Sequence, residues 1–325
     1  MNILVTGGSG FIGTNLVSDL LEQGHKVSIY DKRKSETYPD LCIVADVRDK
    51  EKLANSMHGI EAVYHLAAEH SDDVHPVSLY YDVNVGGAKN IVYSLEKNGV
   101  NTLIFTSTVA LYGLNPGEPD EKSLIKPFND YGRSKYEAEL VFQNWAKDDK
   151  NRSLIIVRPA VIFGENNRGN VYNLLNQIAS GRFVMVGSGQ NKKSMGYVRN
   201  ISQFLILLLN ADPGVHIYNY ADKPDFTMED LVTLVFTTTS DGRTIKFRLP
   251  YAIGLAGGYT FDLLARLTGK TFPISSIRIK KFCADTVINA DKLKETGFTP
   301  SFPLEKGLQR MIEAEFGNEQ GGSLS

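Results

Sequence analysis

Cysteine is scarce in this chain: Cys42 and Cys283 are the only two among 325 residues. Two isolated cysteines exclude a disulfide framework and leave no CxxC pair for a metal. Histidine offers no substitute. His70 and His75 lie five residues apart, about 140° around a helix, and no third histidine follows at a closing distance. No metal site is expected. A basic excess is also missing, because 35 basic residues face 37 acidic ones for a formal charge of −2. That balance excludes a general nucleic-acid binder, and there is no long tail of one sign. Long apolar runs are absent as well. Phe204–Leu209 is too short to span a bilayer, and Tyr251–Leu267 is interrupted by Asp262 and Arg266. The second stretch reads as a buried or partner-facing helix rather than an anchor. The opening MNILVTGG has neither the basic lead nor the apolar core of a secretion signal. The expectation is a cytoplasmic protein with no membrane and no nucleic-acid partner.

Up to about residue 160 the chain alternates β-rich runs with helical stretches. The strand candidates are Asn2–Thr6, Lys26–Tyr30, Cys42–Ala45, Ala62–Leu66, Thr102–Thr106 and Leu154–Arg158. Most are continuous apolar runs, the pattern of strands buried on both faces of a parallel sheet. Between them lie the helical candidates Phe11–Gln23, Lys50–Met57, Ser78–Asn98 and Tyr131–Lys147. This alternation predicts an α/β fold with a doubly wound parallel sheet. Later the pattern weakens into Gly-, Asn- and Pro-marked segments around one helical stretch, Val171–Ser180, with Val215–Tyr220 returning to the first sheet. A cofactor domain is expected over 1–165 plus about 215–245. A smaller discontinuous substrate-binding lobe is expected over about 166–214 and 246–315, and a loose tail over 316–325.

The first strand runs into Gly7-Gly8-Ser9-Gly10-Phe11-Ile12-Gly13 and then a helix. Strand, glycine triplet and helix in this order form a dinucleotide-binding turn of Rossmann type. Gly7 permits the tight turn and Gly10 lets the backbone approach a pyrophosphate. Gly13 lets helix and strand pack closely, with phosphate at the helix N-terminus. Asp31 ends the next strand 18 residues after Gly13. A carboxylate there can hydrogen-bond the adenosine ribose and favours NAD. Lys32 and Arg33 follow and suit a 2′-phosphate instead, but a carboxylate facing a phosphate is repulsive, so NADP is the lesser reading.

Tyr131-Gly132-Arg133-Ser134-Lys135 opens a helical stretch, and positions i and i+4 share one face. An ammonium beside a phenol stabilises phenolate and lowers its pKa. Such a tyrosine can act as base towards a hydroxyl and as acid in reverse. Thr108, just past the strand Thr102–Thr106, sits where ligands bind in open α/β sheets and can orient the reacting oxygen. Tyr131 and Lys135 alone would read as an exposed helix pair; the order of the surrounding motifs gives them meaning.

That set is TGGSGFIG, Asp31, ADVRD at 45–49, YHLAA at 64–68, Asn84, STVALYG at 107–113, YGRSK at 131–135 and VRPAVIFG at 157–164. It resembles the extended short-chain dehydrogenase/reductase superfamily and, within it, the nucleotide-sugar epimerases and dehydratases. The likeness continues loosely through 192–200, 219–222 and 288–298. The resemblance implies that Asp46 and Val47 meet the adenine, and that Leu66, Ala67 and Ala68 line the cofactor. Phe11, Ile12, Ser107 and Pro159 join them on the cofactor side. Lys135 holds the nicotinamide ribose, Asn84 supports the Lys135 region, and Tyr131 and Thr108 act on the substrate. It also implies a homodimer through helices beginning near residues 84 and 131.

Within that superfamily the dehydratases carry an acidic pair directly after the threonine, where this chain has Val109 and Ala110. Those side chains move no protons. A nucleotide-sugar epimerase acting at C4 is therefore expected, with a keto-sugar or other carbonyl reductase as the alternative and a non-catalytic cofactor sensor behind it. The substrate's diphosphate calls for cations: Lys193 stands where the resemblance carries an arginine, and Arg278 is the second candidate. Asn170 can hydrogen-bond a phosphate or sugar.

Overall fold

A computed structural model describes residues 1–317 except 72–73, 115–116, 240–243, 246 and 270–274. Seven strands form one parallel sheet: β1 (Asn2–Thr6), β2 (Lys26–Asp31), β3 (Cys42–Val44), β4 (Ala62–His65), β5 (Thr102–Thr106), β6 (Ser153–Pro159) and β10 (Gly214–Tyr220), in the order β10-β6-β5-β4-β1-β2-β3. Three short strands intervene, β7 (Val161–Phe163), β8 (Met185–Val186) and β9 (Lys192–Tyr197), and two follow, β11 (Asp222–Thr227) and β12 (Arg248–Leu249). The helices are α1 (Phe11–Glu22), α2 (Lys50–Ser56), α3 (Ser78–Tyr81), α4 (Gly87–Asn98), α5 (Asp130–Lys147), α6 (Asn170–Ala179), α7 (Val198–Leu207), α8 (Met228–Thr238), α9 (Tyr251–Thr268), α10 (Ser276–Cys283) and α11 (Leu304–Phe316).

The period of two along each strand divides the core. Ile3 and Val5, Tyr64, Ile104, Ile155 and Val157 face one layer, with Leu16, Val17 and Leu20 of α1 and Ile201, Phe204 and Leu205 of α7. Leu4, Val63, Leu103, Phe105, Leu154 and Ile156 face the other, with Leu53 of α2, Ile91 and Leu95 of α4, and Phe142 and Trp145 of α5. Both faces are apolar and both are covered by helices, as a parallel sheet requires. The order reverses between β1 and β4, and such a switch point opens a crevice at the carboxyl ends of the strands.

The chain folds as two compact units. One comprises Met1–Ile162, Gly196–Ala221 and Ile288–Phe302; the other comprises Phe163–Met195, Asp222–Val287 and Pro303–Ser325, whose residues 318–325 lie outside the described part together with nearly all of the expected tail. This corrects the expected boundaries. Residues 196–214 belong to the first unit because α7 lies on α1, with Ser202 Oγ donating to Asp19 Oδ2 at 2.5 Å and Tyr64 Oη donating to the Leu205 carbonyl at 3.1 Å. Residues 288–302 join it too, since the Asn289 amide donates to the Pro119 carbonyl at 3.0 Å. Residues 222–245 fall in the second unit, where β11 pairs antiparallel with β9 through Phe226↔Lys193 and Thr227↔Lys192. A second correction concerns 78–98. The expected single helix is broken by a π turn over Asp82–Gly86, between α3 and α4. The apolar stretch at 251–267 is a helix as expected, and in α9 only Gly254 and Gly258 are buried.

One buried ion pair ties α5 to the sheet. Arg158 on β6 donates to Glu139 on α5 through Nε at 3.0 Å and Nη2 at 2.7 Å, and the two side chains are 4% and 0% exposed. Nη1 also donates to Tyr112 Oη at 2.9 Å, which donates to Asn219 Oδ1 on β10 at 2.7 Å. Losing one partner strands a buried charge, so Glu139→Ala is expected to lower urea-unfolding stability by about 3–5 kcal/mol. Arg158→Lys should cost nearly as much, because an ammonium cannot replace the two-pronged contact.

Candidate active site

The turn between β1 and α1 shows the packing that its glycines dictate. Gly7 has φ +74°, and a side-chain carbon there would stand 2.6 Å from the Ala67 amide nitrogen; one at Gly13 would stand 2.3 Å from the Gly7 carbonyl oxygen. Gly10 caps α1, whose first turn carries no acidic residue. The helix N-terminus thus presents its amides and positive dipole end without a competing carboxylate. A cavity beside it is lined by Gly7, Gly10, Asp31, Lys32, Arg33, Asp46, Val47, Leu66, Ala67 and Ala68, among others. Ten of the residues expected to hold the cofactor therefore meet around one space. Phe11, Ile12 and Gly13 form the first turn of α1 next to it.

The cavity's polar groups are already oriented. Asp31 is 8% exposed, and its two carboxylate oxygens accept from the Ser9 amide at 3.1 Å and the Arg33 amide at 3.0 Å. These bonds fix the carboxylate at the end of β2. Asp46 is gripped by Arg48 through Nε at 2.9 Å and Nη2 at 2.8 Å, and this contact holds the Asp46 carboxyl below the usual carboxylate range. Lys32 pairs with Glu69 at 3.3 Å. Sequence reasoning missed Arg48 and Glu69, both of which line the cavity. The ADVRD stretch contained Arg48, but nothing in the sequence showed that it turns back on Asp46.

Asn84 stands in the π turn and is 2% exposed. Its Nδ2 donates to the Glu69 carbonyl at 3.1 Å and to Ser134 Oγ at 2.9 Å, while its Oδ1 accepts from the Glu69 amide at 2.8 Å. Both donors are thus spent on protein, and Asn84 joins the segment after β4 to the residue before Lys135. π turns of this kind recur at functional sites.

Asn129 caps α5 by accepting from the Gly132 amide at 2.9 Å. The cap places Tyr131 in the first turn and Lys135 one turn on. Thr108 is 8% exposed, accepts from the Ala110 amide at 3.1 Å, and is hydrogen-bonded to the Tyr131 hydroxyl. Val109 and Ala110 continue into a short 3-10 turn. Lys135 is 2% exposed, with Nζ 4.1 Å from the centre of the Phe105 ring. Burial pushes its ammonium down to about 7, with Glu139 pulling the other way. Tyr131 is pushed up by burial, and the opposing pull comes from the Thr108 hydroxyl. The expected depression of the phenol by Lys135 is therefore corrected: burial dominates, and it also weakens the cation meant to act on it.

The site fits a dinucleotide on observations of the chain itself. Side-chain carbons at Gly7 and Gly13 would fill the cradle. Among the described residues Ser107 Oγ, directly before Thr108, is buried without a hydrogen-bond partner. A buried hydroxyl so placed calls for a polar ligand group. Pro159 closes β6 opposite Tyr220. Three of the four expected substrate contacts, Asn170, Lys193 and Arg278, lie in the second unit, and Thr108 in the first. Asn170 begins α6 and is exposed. Arg278 is exposed on α10. Lys193 donates to the carbonyls of Lys281 at 3.1 Å and Ala284 at 2.6 Å, so its ammonium caps the end of α10. Burial lowers that ammonium to about 8.

His65, in the YHLAA segment, is 1% exposed, stacks 5.5 Å from Phe105, and shares a 2.7 Å hydrogen bond with Thr6 Oγ1. Burial first, and the charge of Lys135 second, push its pKa from 6.5 to about 3. The unfolded chain binds the extra proton between these values, so stability is full above pH 6.5 and falls as pH drops towards 3. Melting temperatures from neutral pH to pH 4 should fall for the natural chain, and His65→Gln should flatten that slope.

The family model for the NAD dependent epimerase/dehydratase family matches residues 3–221. The N-acetyl-alpha-D-glucosaminyl-diphospho-ditrans,octacis-undecaprenol 4-epimerase of Escherichia coli O157:H7 is 49% identical over 97% of this chain and 95% of its own. UDP-glucose 4-epimerase of Vibrio cholerae is 25% identical over 96% of this chain and 95% of its own. The structure of UDP-glucose 4-epimerase from Thermotoga maritima superposes with a TM-score of 0.76 at 24% identity, covering 97% of this chain and 98% of that one. Glycine turn, Asp31, Thr108, Tyr131 and Lys135 thus stand in their expected order inside the matched span, and the chain belongs to the NAD dependent epimerase/dehydratase family, an enzyme of the extended short-chain dehydrogenase/reductase type whose cofactor is NAD.

Proposed function

We propose that this enzyme inverts C4 of a sugar carried on a diphosphate, with a nucleotide-diphosphate sugar as the substrate class. The observation that carries this reading is Tyr131 hydrogen-bonded to Thr108 and followed by Lys135, with Val109 and Ala110 where an elimination would need acids. Bound NAD would supply the hydride acceptor, and in its reduced form the hydride donor, for C4. Tyr131, whose phenolate a bound oxidised nicotinamide would favour by its positive charge, would take the C4 hydroxyl proton and return it after the 4-keto sugar has turned its other face. Thr108 holds the same oxygen in line through that exchange. Lys135 and Ser107 supply the polar groups that orient the cofactor's ribose, and Asp31 receives the other ribose. No net reductant is consumed, which separates this reading from a reductase.

A second reading concerns the carrier. The E. coli relative is named for a sugar on undecaprenyl diphosphate, and its 49% identity favours the same lipid-linked class for this chain. Two further proposals accompany the function. The enzyme works as a homodimer through α4 and α5, where Leu140 is 41% exposed. It resides in the cytoplasm, a reading supported by two cysteines outside any disulfide.

Proton NMR with catalytic NAD and no reductant tests the chemistry. UDP-, dTDP- and GDP-sugars and a sugar diphospho-undecaprenol form the panel. A second anomeric signal without change in reduced cofactor is expected from one member, and that member names the carrier. Silence across the panel would remove the epimerase reading. Tyr131→Phe should lower turnover by about 10²–10⁴-fold while NAD binding persists. Leu140→Asp should shift the mass measured by light scattering from two chains to one.

A further inference from the structure

The second unit carries a helix turned inside out. Among the 18 residues of α9 only Gly254 and Gly258 are buried. They let α9 lie directly on its neighbours, since a side-chain carbon at Gly258 would come within 2.8 Å of the Ser276 backbone. The opposite face is apolar. Ile253, Ala256, Leu263 and Leu267 recur at helical spacing along it, and Ile253, Leu263 and Leu267 are 58%, 57% and 74% exposed. An amphipathic helix in a soluble fold normally points such a stripe inward.

The surroundings are cationic. Residues 251–283 hold Arg266, Lys270, Arg278, Lys280 and Lys281 against the single acid Asp262, in a chain whose net charge is −2; Lys270 itself lies outside the described residues. Asp262 is turned into the protein, its Oδ2 accepting from the Ser276 amide at 3.3 Å. Lys280 donates to the Tyr259 hydroxyl at 3.0 Å and so stands at the edge of the apolar stripe. A second copy of the chain is a poor occupant. A two-fold contact pairs a patch with itself, and here it would bring like charges together. An apolar helical face rimmed by Lys, Arg and Tyr is instead the composition that lies in a lipid headgroup layer.

We propose that the α9–α10 face docks this enzyme on the surface of an anionic phospholipid bilayer, with α9 lying in the interface. Among the described residues no helix is long and apolar enough to cross a membrane, so the attachment is peripheral. The docking surface rests on the helix pair and not on the epimerase chemistry. It deepens the reading of a lipid-linked sugar, because a docked enzyme meets such a substrate where it resides.

Flotation of the full chain with vesicles, in the absence of any sugar, tests it apart from turnover. Vesicles of phosphatidylcholine with phosphatidylglycerol should carry the protein at low salt. Phosphatidylcholine alone should bind it about tenfold less or weaker still, and high salt should release it. Leu263→Glu combined with Leu267→Glu should abolish flotation with an unchanged melting temperature, since both side chains face outward. Lys280→Glu with Lys281→Glu should remove the preference for anionic lipid. The proposal is overturned if the natural chain does not float with the anionic vesicles. It is equally overturned if the double Glu variant still floats, or if that variant loses half the mass of the natural chain, which would make a second copy the occupant.

Discussion

The contact between Arg158 and Glu139 underlies the catalytic geometry of this enzyme. Two opposite charges are removed from water between β6 and α5, and each compensates the other there. α5 carries Tyr131 and Lys135 on its first turns, and Glu139 follows Lys135 by one further turn. The pair therefore sets the depth and rotation of the helix against the sheet. Tyr112 and Asn219 extend the contact to β10 and to the segments at Pro119 and Asn289. Apolar packing alone would tolerate a helix sliding by a fraction of a turn. A two-pronged contact with fixed distances does not.

Burial is the common cause of the site's electrostatics. Lys135 and His65 both lie against the Phe105 ring, and in them as in Tyr131 the uncharged form gains. Burial lowers the Lys135 ammonium and raises the Tyr131 phenol, the latter against the pull of the Thr108 hydroxyl. Such an environment suits a reaction in which a proton leaves and returns to the same oxygen. The cofactor side is different in kind. There Asp31, Asp46 and Lys32 are each bound to a protein partner, so the recognition groups are oriented in advance.

The second unit spends its polar groups otherwise. Lys193, placed by analogy at the substrate's diphosphate, closes the end of α10, while the α9 stripe is left outward. The two observations share a reason. Small residues at Gly254 and Gly258 bring α9 close to its support, and so little of its surface is covered that its long apolar side chains have nowhere inward to go.

Much of this enzyme was legible in the sequence because periodicity and local stereochemistry are local. The seven strands of the sheet were readable from apolar runs, since a strand covered on both faces admits little else. The glycine turn, Asp31 and the Tyr131–Lys135 spacing were readable because a tight turn and a helical face depend on near neighbours. What escaped were contacts between distant segments. Arg48 on Asp46, Glu69 on Lys32, the π turn that brings Asn84 to Ser134, and Lys193 on α10 all depend on how elements pack. The unit boundaries escaped for the same reason: α7 joins the sheet through α1, far away in sequence. Sequence by itself determined the fold class and the cofactor turn and offered Thr108, Tyr131 and Lys135 as the candidate reacting side chains, because backbone geometry and residue chemistry suffice for that. Only the tertiary structure decided their protonation and which cations remain available. Both follow from desolvation and from partners that burial selects, and no single segment carries that information.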